Sequence, residues 1–582
     1  MSEALTGGMV VSRALARYGV RTVFAVAGAS HSFLLEALER DGFEIVSSRH
    51  ESGCVGAADG YARITGKPGV ALIIADQGTP NAINGIATAF HACSPVLVLI
   101  ARLPNSWTEA EAEYDSAKHP LVESITKWAR TVPAAERLAE YVDVAAKRAL
   151  SGRRGPVVLQ IPQEYLQAKL ADAGAANGPA PLAARAAADP AAIERAAKLL
   201  LAARRPLLIA GAGACQGDAG AALRALVTEC DLPIAGNGLG RGLVPEDWDR
   251  SFNWPVMQIA AKDADVVCVI GARLKQRLGY GLPPRFSADA KFIQIDVEAE
   301  ELSRNRRIDV PVVADAGLAC AQLLASLRAL GAASGSKSNA ATTRAHWVRD
   351  ALRARFEYLD TLTATPLPND GIHPLALGRA IARHAPADAI YVGDGADIQT
   401  WMYGALHVQQ APGFLDHYPI GAMGTGTPLA VGAAAAAREL APATPRTVVL
   451  TTGDGSFGFY PAELHAAARA GLKIVCVIGN DGAWGTEWHG QLKALAKPVN
   501  TELGFLDYEK VAEGFGCRGE RVTRLGELES ALQRAFAHDG PSVLNVHIDR
   551  EAGAAIKSQP LAQMILFDDL ATNLKAQHAF AG

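Results

Sequence analysis

The sequence has few aromatic residues, little net charge and no long apolar run. Aromatic side chains make up 6% of the 582 residues, so an aromatic-rich binding surface is not expected. The formal net charge of -4 gives the chain no general attraction to nucleic acid or to an acidic membrane. No apolar run approaches the roughly 18–20 residues of a membrane span. With 49% hydrophobic and 20% charged residues, a disordered chain and a membrane channel are excluded.

The cysteines lack the spacing of a disulfide scaffold. Eight are present, and no two form a C-x-x-C pair. Several lie in apolar runs, such as Cys268 in VVCVI, so buried free thiols in a reducing compartment are expected. The first twenty residues contain Glu3 and no apolar h-region, which is unlike a signal peptide. A cytoplasmic location is the resulting expectation.

Two stretches without apolar periodicity divide the chain into three parts. Residues 171–190 are rich in Ala, Gly and Pro, and residues 331–343 are small and polar. Each part alternates continuous apolar strands with helical stretches, which is typical of parallel sheets covered on both faces. The predicted fold class is α/β, with three doubly wound parallel-sheet domains. The predicted boundaries are 1–170, 191–330 and 345–550 for the domains and 551–582 for a C-terminal tail.

The strongest motif joins the ends of two successive strands in the third part. One strand ends at GDGS, which contains Asp454, and the next ends at GNDG, which contains Asn480. Adjacent parallel strands end on one edge of a sheet, so the two side chains are expected to lie together beside a helix N-terminus. Their oxygens suit Mg²⁺, and the Gly455 backbone can approach a diphosphate closely. An ordinary βα turn followed by a β-turn is the alternative.

This pairing resembles the diphosphate-binding motif of thiamine-diphosphate-dependent enzymes. The resemblance extends over the chain, whose three parts look like that family's pyrimidine-binding, central and diphosphate-binding domains. It implies that Mg²⁺ is held by Asp454, the Asn480 side chain and the Gly482 carbonyl. It also implies that the diphosphate lies at Gly455, Ser456, Gly395 and Ala396.

Two further motifs support the resemblance. The run RHE, followed by ADGYAR, is similar to a family pattern in which the carboxyl of Glu51 contacts the aminopyrimidine ring of the cofactor. The alternative for Glu51 is a helix N-terminal acid favoured by the dipole. In GAMG, the resemblance makes Met423 an apolar wedge under the cofactor and places Gly421 against its pyrimidine edge. The alternative for Met423 is core filling.

The resemblance also implies how the substrate site is assembled. Family members share each cofactor between two subunits, so a homo-oligomer, dimer or tetramer, with the cofactor at the interface is implied. Glu487 is the first candidate for proton transfer, because a carboxylate near the reacting carbon can take the proton of a substrate 2-hydroxyl. A solvated position is its alternative, and Glu113 and His489 rank lower. The expected substrate-pocket residues are Ala29, Ser30, His31, Gln77 and Trp484.

The overall pattern looks most like the branch with 2-hydroxyacyl-CoA lyases, benzaldehyde lyase and acetolactate synthase. The sequence departs from acetolactate synthases near Glu113 and in the stretch ARLPNSW. The predicted function is a carbon–carbon lyase or carboligase, first a 2-hydroxyacyl-CoA lyase that reversibly gives formyl-CoA and an aldehyde or ketone. The alternatives are an acetolactate-synthase-like or benzaldehyde-lyase-like enzyme of free 2-keto or 2-hydroxy compounds, and a catalytically silent binding protein.

Two features outside the cofactor motifs concern the substrate. The expected substrate is a small molecule, and an acyl-CoA is one candidate. The turn at 211–217 and the basic run at 273–277 are a candidate nucleotide site for ADP or CoA, with FAD less favoured and an unoccupied remnant as the alternative. The tail after His547 has the apolar spacing of an amphipathic helix. The resemblance to acyl-CoA lyases implies that this tail is a lid over the active site. The alternative is a clasp on a neighbouring subunit.

Overall fold

Three parallel β-sheets form the framework of the protein. The structure is a computed structural model that describes residues 5–74, 77–110, 119–172, 176, 178–181, 183–333 and 346–554. Each sheet has six strands, and neighbouring strands pair in parallel. Strands of continuous apolar residues, such as VVCVI, are buried along their whole length because helices cover both faces. The predicted α/β class with three doubly wound parallel sheets is confirmed.

The first sheet is built from the N-terminal part of the chain. Its strands are β1 (Thr22–Ala25), β2 (Glu44–Ser47), β3 (Gly69–Ile74), β4 (Val96–Arg102), β5 (Trp128–Thr131) and β6 (Val157–Pro162). They lie in the order β2-β1-β3-β4-β6-β5. The helices of this part are α1 (Gly7–Arg17), α2 (Ser32–Arg40), α3 (Glu51–Thr65), α4 (Gly78–Ala92), α5 (His119–Glu123), α6 (Leu138–Leu150) and α7 (Gln163–Gln167).

The second sheet has a different strand order. Its strands are β7 (Pro206–Ala210), β8 (Ile234–Gly236), β9 (Ser251–Asn253), β10 (Val266–Ile270), β11 (Lys291–Asp296) and β12 (Val310–Val313). They lie in the order β12-β11-β10-β7-β8-β9, which reverses direction between β7 and β10. Open α/β sheets bind ligands at such a switch point. The helices are α8 (Pro190–Ala202), α9 (Ala212–Gln216), α10 (Gly220–Glu229), α11 (Trp254–Met257) and α12 (Ala316–Ala333).

The third sheet repeats the strand order of the first. Its strands are β13 (Ile390–Gly393), β14 (Phe414–Asp416), β15 (Val448–Gly453), β16 (Ile474–Asn480), β17 (Arg518–Val522) and β18 (Ser542–His547). They lie in the order β14-β13-β15-β16-β18-β17. The helices are α13 (His346–Ala364), α14 (Pro374–His384), α15 (Asp397–Ala405), α16 (Gly426–Leu440), α17 (Asp454–Phe457), α18 (Glu463–Arg469), α19 (Gly485–Leu495), α20 (Tyr508–Gly514) and α21 (Leu525–Ala537).

The first and third sheets are joined through one hydrophobic core, in which α3 packs against α16. Small residues let the two helix backbones approach closely. A Cβ added at Gly60 would lie 2.2 Å from the Leu429 carbonyl oxygen, and one added at Gly432 would lie 1.8 Å from that of Ala57. Larger residues at these positions would push the helices apart, so part of the glycine content is needed for packing.

The segments outside the sheets can be compared with the sequence predictions. Each predicted domain contains one sheet, while the boundaries taken from composition stay predictions. Most of the predicted tail, residues 555–582, lies outside the described residues. All eight cysteines are free, as expected, although three of them are only half-buried. Within the described ranges, no helix is both long and apolar enough to cross a membrane.

Candidate active site

A small cavity of about 40 Å³ lies at the carboxyl edge of the third sheet, where β13, β15 and β16 end side by side. A Cβ added at Gly455 would lie 2.4 Å from the Trp484 ring, so only glycine leaves this wall open. The structure thus brings most of the predicted cofactor residues together. The sequence-predicted residues on its walls are Gly395, Ala396, Met423, Asp454, Gly455, Ser456, Trp484 and Glu487.

Two buried carboxyl groups face this cavity. Asp454 begins α17 directly after β15, and its Oδ2 has no hydrogen-bond partner. Burial, together with the charge of Asp481, raises the pKa of Asp454 to about 8. Burial also raises the pKa of Asp481. A pair of like charges in a buried site favours a cation that balances them, so the donor set suits a divalent cation.

The second carboxyl, rather than the predicted Asn480 amide, is the neighbour of Asp454. Asn480 ends β16, and its amide is engaged elsewhere: Nδ2 donates to Asn545 Oδ1 at 3.0 Å, and Oδ1 accepts from the Gly482 N–H at 3.0 Å. Successive residues of a strand face opposite sides, so the side chain on the Asp454 side belongs to Asp481. Asn480 is thus bonded away from Asp454, and Asp481 is the residue that lies beside it. The predicted ligand role of Asn480 stays a prediction.

The Gly482 carbonyl, another predicted ligand, has hydrogen-bond partners of its own. Its oxygen accepts from the N–H of Leu503 at 2.8 Å and from that of Gly504 at 3.0 Å. A carbonyl oxygen has two lone pairs, so both are occupied. Gly482 instead turns the chain, with a φ of 68° that favours glycine. The predicted role of Gly482 in metal or cofactor binding stays a prediction, although both of these bonds already use its carbonyl oxygen.

Glu51 lies apart from this cavity, in the first turn of α3. Its side chain is 7% exposed, and Oε2 accepts a hydrogen bond from Asn81 Nδ2 at 3.1 Å. The His50 ring caps the same helix, since Nδ1 accepts from the Ser52 N–H at 3.0 Å. Among the described residues that line the Asp454 cavity, none comes from this turn. One chain therefore presents Glu51 and Asp454 at two separate places.

The predicted substrate-pocket residues divide in the same way. Ala29, Ser30 and His31 follow β1. Gln77 precedes Gly78, where an added Cβ would lie 3.4 Å from the Glu51 side chain, whereas Trp484 lies on the Asp454 side. His31 Nε2 accepts from the Gly28 N–H at 3.1 Å, and burial lowers the His31 pKa to about 4. The imidazole is therefore neutral at physiological pH.

The three candidate proton-transfer residues have different surroundings. Glu487 is exposed in the first turn of α19 and lines the Asp454 cavity. His489 is buried, and its Nε2 lies 2.9 Å from the carbonyl oxygen of Arg550, which makes it a structural donor. The predicted catalytic role of His489 stays a prediction. Glu113 lies outside the described residues.

A second cavity, of about 760 Å³, extends from the second sheet to Glu487. At one end it is lined by Gly211 and Gly271, which follow β7 and β10 at the switch point. At the other end it is lined by Met423 and Glu487, which also line the smaller cavity. Its wall carries many basic residues, of which the sequence motifs indicated only those in the run at 273–277. The basic residues of the wall are Arg153, Arg154, Arg273, Lys275, Arg277 and Arg285.

Asp416 joins all three parts of the chain beside this cavity. Its Oδ2 accepts from Arg277 Nη1 at 3.1 Å, and its carbonyl oxygen accepts from Arg63 Nη1 at 2.9 Å. The Arg277 Cζ lies 3.5 Å from the centre of the Tyr418 ring. Burial raises the pKa of Tyr418, so its hydroxyl stays a neutral donor on the cavity wall. No motif marked Tyr418 or Asp416, because their partners are distant in sequence.

Family models match the three parts in chain order. The N-terminal TPP binding domain of thiamine pyrophosphate enzymes matches residues 5–121, the central domain matches 193–323, and the C-terminal TPP binding domain matches 394–546. The acetolactate synthase large subunit of Mycobacterium tuberculosis is 32% identical over 94% of this chain and 96% of its own. The chain belongs to the thiamine pyrophosphate enzyme family. The resemblance drawn from the motifs is confirmed.

Other members of the thiamine pyrophosphate enzyme family are similar over most of their length. The 2-hydroxyacyl-CoA lyase 1 of Mus musculus is 29% identical over 94% of this chain and 95% of its own. A solved structure of a thiamin diphosphate-dependent enzyme from Mycobacterium smegmatis has a TM-score of 0.76 and 23% identity, covering 94% of this chain and all of that one. At that identity the likeness concerns the fold.

The residues of this family member fit its cofactor. The two TPP binding domains support thiamine diphosphate as the cofactor. The Oδ2 of Asp454 has no hydrogen-bond partner and lies beside Asp481. The two carboxyls together offer oxygen donors for a cation that neutralises a diphosphate. Gly455 leaves open a space that a side chain would fill. The chemistry and the shape of the site thus both suit a diphosphate with its metal.

Proposed function

We propose that this thiamine diphosphate enzyme is a reversible carbon–carbon lyase of 2-hydroxyacyl-CoA thioesters. In the lyase direction the products are formyl-CoA and an aldehyde or ketone. The observation that carries the proposal is the 760 Å³ cavity, which leads from the switch point of the second sheet to Glu487. Such a cavity suits a substrate with a nucleotide at one end and a reacting thioester at the other.

The basic wall of the cavity supports a nucleotide end. Arg153, Arg273 and Lys275 line it close to the turns after β7 and β10. Guanidinium and ammonium groups bind phosphate oxygens by charge-assisted hydrogen bonds. Arg273 Nη1 is buried without a hydrogen-bond partner, which leaves a donor for a ligand. In this proposal these residues hold the phosphates of CoA.

The carboxyl edge of the third sheet is proposed to hold the cofactor. Asp454 and Asp481 bind Mg²⁺, and the backbone at Gly455 and Ser456 binds the diphosphate with help from the turn at 395–396. Met423 and Gly421 support the ring end. When bound, thiamine diphosphate would supply a carbon nucleophile and an acceptor for the electrons of the broken bond.

A second copy of the chain is proposed to complete the site. Glu51 does not line the described cavity of Asp454 in its own chain, although both residues lie at carboxyl edges of parallel sheets. A homo-oligomer, either a dimer or a tetramer, would bring Glu51 of one copy to Asp454 of another. The Glu51 carboxyl then hydrogen-bonds the pyrimidine ring, and Asn81 holds that carboxyl in place.

Glu487 is proposed to move the substrate proton. It lies in the first turn of α19, and it lines both cavities. Its carboxylate takes the proton of the 2-hydroxyl as the C–C bond breaks. During ligation the same carboxyl returns that proton. Tyr418, on the same wall, offers a neutral donor to the substrate carbonyl.

The test is turnover of a 2-hydroxyacyl-CoA by the protein loaded with thiamine diphosphate and Mg²⁺. Formyl-CoA and the carbonyl product are measured by liquid chromatography, with the free 2-hydroxy acid as the matched control substrate. We expect turnover of the thioester alone. Turnover of the free compound, or of a free 2-hydroxy ketone, would instead favour a benzaldehyde-lyase-like enzyme, and no turnover of any substrate would favour a silent binding protein.

The nucleotide end has its own test in Arg273→Ala. We expect the KM for the CoA thioester to rise about tenfold or more, whereas the same acyl group on pantetheine, which lacks the nucleotide, should be unaffected. Arg328→Ala removes an exposed arginine that pairs with Glu229 and serves as the control. Equal losses with both thioesters would contradict a phosphate-binding role.

An acetolactate-synthase-like function is the second candidate. It is favoured by the 32% identity with the M. tuberculosis acetolactate synthase subunit. In that case pyruvate would be converted to acetolactate, and FAD rather than CoA would raise the Tm by binding the folded state. A panel of CoA, acyl-CoA, ADP and FAD in thermal-shift experiments separates the two functions.

A further inference from the structure

Arg550 follows the last strand and reaches back to the loop that carries Asp481. Its Nε donates to the Asp481 carbonyl oxygen at 2.8 Å. Its guanidinium lies over Trp488 of α19, with Cζ 4.5 Å from the ring centre. Its own carbonyl oxygen lies 2.9 Å from His489 Nε2. One residue therefore contacts both the loop after β16 and the second turn of α19.

We propose that Arg550 is a positioning residue, which holds the Asp481 loop and the start of α19 in the arrangement that binds the cation. This inference rests on the proposed Mg²⁺ site. Asp481 and Glu487 stand at the two ends of a five-residue connection, so a contact that fixes the loop to the helix also fixes the separation of these two carboxyls. Arg550 bonds the loop and stacks on the helix at once.

Other contacts hold the loop further along, and the Asp481 carboxylate itself accepts from the Ala483 N–H at 3.2 Å. The Gly482 carbonyl accepts from Leu503 and Gly504, and the Trp484 N–H donates to the Thr501 carbonyl oxygen at 2.8 Å. The peptide that carries the Asp481 carbonyl is bonded by Arg550. If this bond is lost, that peptide can rotate, and the carboxyl on the same residue moves with it.

The shape of the guanidinium is important for this contact. Nη2 lies 3.0 Å from the point where a Cβ on Gly482 would stand, so the group packs closely against a backbone without a side chain. Lysine has no planar fork and cannot donate sideways to the loop while stacking on the indole. The ion pair with Glu502 is long, 3.7 Å, and the Glu502 side chain is 71% exposed, so it adds little.

The experiment compares Arg550→Gln and Arg550→Lys with wild type and with Arg534→Gln, a control that removes an exposed arginine paired with Glu520. Calorimetry gives the apparent Kd of Mg²⁺ at saturating thiamine diphosphate, without turnover. Outer-shell contacts at metal sites are worth about 10–100-fold in affinity. We expect Mg²⁺ binding about tenfold weaker in Arg550→Gln, a smaller loss in Arg550→Lys and no change in the control.

The outcomes separate this inference from the function on which it rests. If wild type binds the cofactor without needing Mg²⁺, the proposed cation site fails and the role of Arg550 fails with it. If wild type needs Mg²⁺ and both Arg550 variants bind it as tightly, only the positioning role is overturned. A lower Tm with unchanged Mg²⁺ affinity would likewise make Arg550 merely structural. Should Arg550→Gln not fold, the lysine variant decides by the same measurement.

Discussion

The first and third sheets have the same strand order but chemically different carboxyl edges. At the first edge, Glu51 is held by Asn81, with Nδ2 to Oε2 at 3.1 Å. At the third edge, Asp454 has a buried oxygen without a partner and lies beside a second carboxyl, that of Asp481. A shared topology therefore supplies two equivalent positions for a site, and the side chains decide what each position can do.

The two edges differ in whether protein groups alone satisfy the carboxyl that lies there. The first edge already holds its carboxyl in place with protein groups, whereas the third has two adjacent buried carboxyls that ionise together only when a cation balances their charge. If this comparison is right, substitutions at the first edge should change the rate with little change in cofactor affinity. Substitutions at the third edge should change affinity for the metal and the diphosphate first.

The largest expected effect is at the first edge. Glu51→Gln keeps the size of the side chain but cannot exchange a proton, so kcat should fall by about 10²–10⁴-fold. The Kd of thiamine diphosphate should change only a few-fold. Turnover and calorimetry on the same samples provide the two values, with exposed Glu39→Gln as the control. A loss of affinity as large as the loss of rate would break the distinction between the edges.

The next effect, at the third edge, compares two neighbouring residues. Asp481→Ala should weaken Mg²⁺ binding by about 100-fold or more, because even outer-shell groups are worth about 10–100-fold. Asn480→Ala removes the bonds to Asn545 and Gly482 and should cost about 1–3 kcal/mol of stability with little change in Mg²⁺ affinity. Calorimetry measures the Mg²⁺ affinity of both variants, and denaturant unfolding measures their free energies of unfolding. The opposite pattern would favour Asn480 as the ligand.

This pair also shows how far the sequence could predict the site. The runs GDGS and GNDG place both strand ends at one edge, since each follows a continuous apolar strand. Both Asn480 and Asp481 offer oxygens, so composition cannot choose between them. The choice depends on which face each residue takes where β16 ends, and one group that fixes it is Asn545, which accepts a hydrogen bond from Asn480. That group comes from β18, which no local motif reveals.

The fold could be predicted from the sequence more fully than the large cavity, because the fold depends on local patterns and the cavity on distant residues. Strand and helix periods are local, so three parallel sheets follow from short windows of sequence. The basic wall joins Arg153 to Arg273, which lie in different parts of the chain. Similarly, Glu487 and His489 are two residues apart in one helix, so they face different sides, and only the structure shows that His489 is the buried one.

The smallest expected effect concerns Glu463, which connects the two edges. It begins α18 in the third part, yet its Oε1 accepts from the N–H groups of Arg49 and His50, each at 3.0 Å, directly before Glu51. Its Oε2 is buried without a partner. Burial raises the pKa of Glu463 from 4.5 to about 7.

The sign of the pH dependence follows from that direction. The folded protein holds this proton more tightly than the unfolded chain, so the stabilising contribution is complete below about pH 4.5 and is lost as pH rises through about 7. Between pH 5 and 7 the loss is about 2 kcal/mol. Glu463→Gln keeps an acceptor for both N–H groups and does not titrate, so its stability should vary less over this range. Denaturant unfolding at both pH values measures the difference, with exposed Glu527→Gln as the control. Equal pH dependence in wild type and Glu463→Gln would mean that the carboxyl joining the two edges does not titrate between pH 5 and 7, and the expected rise of its pKa would be refuted.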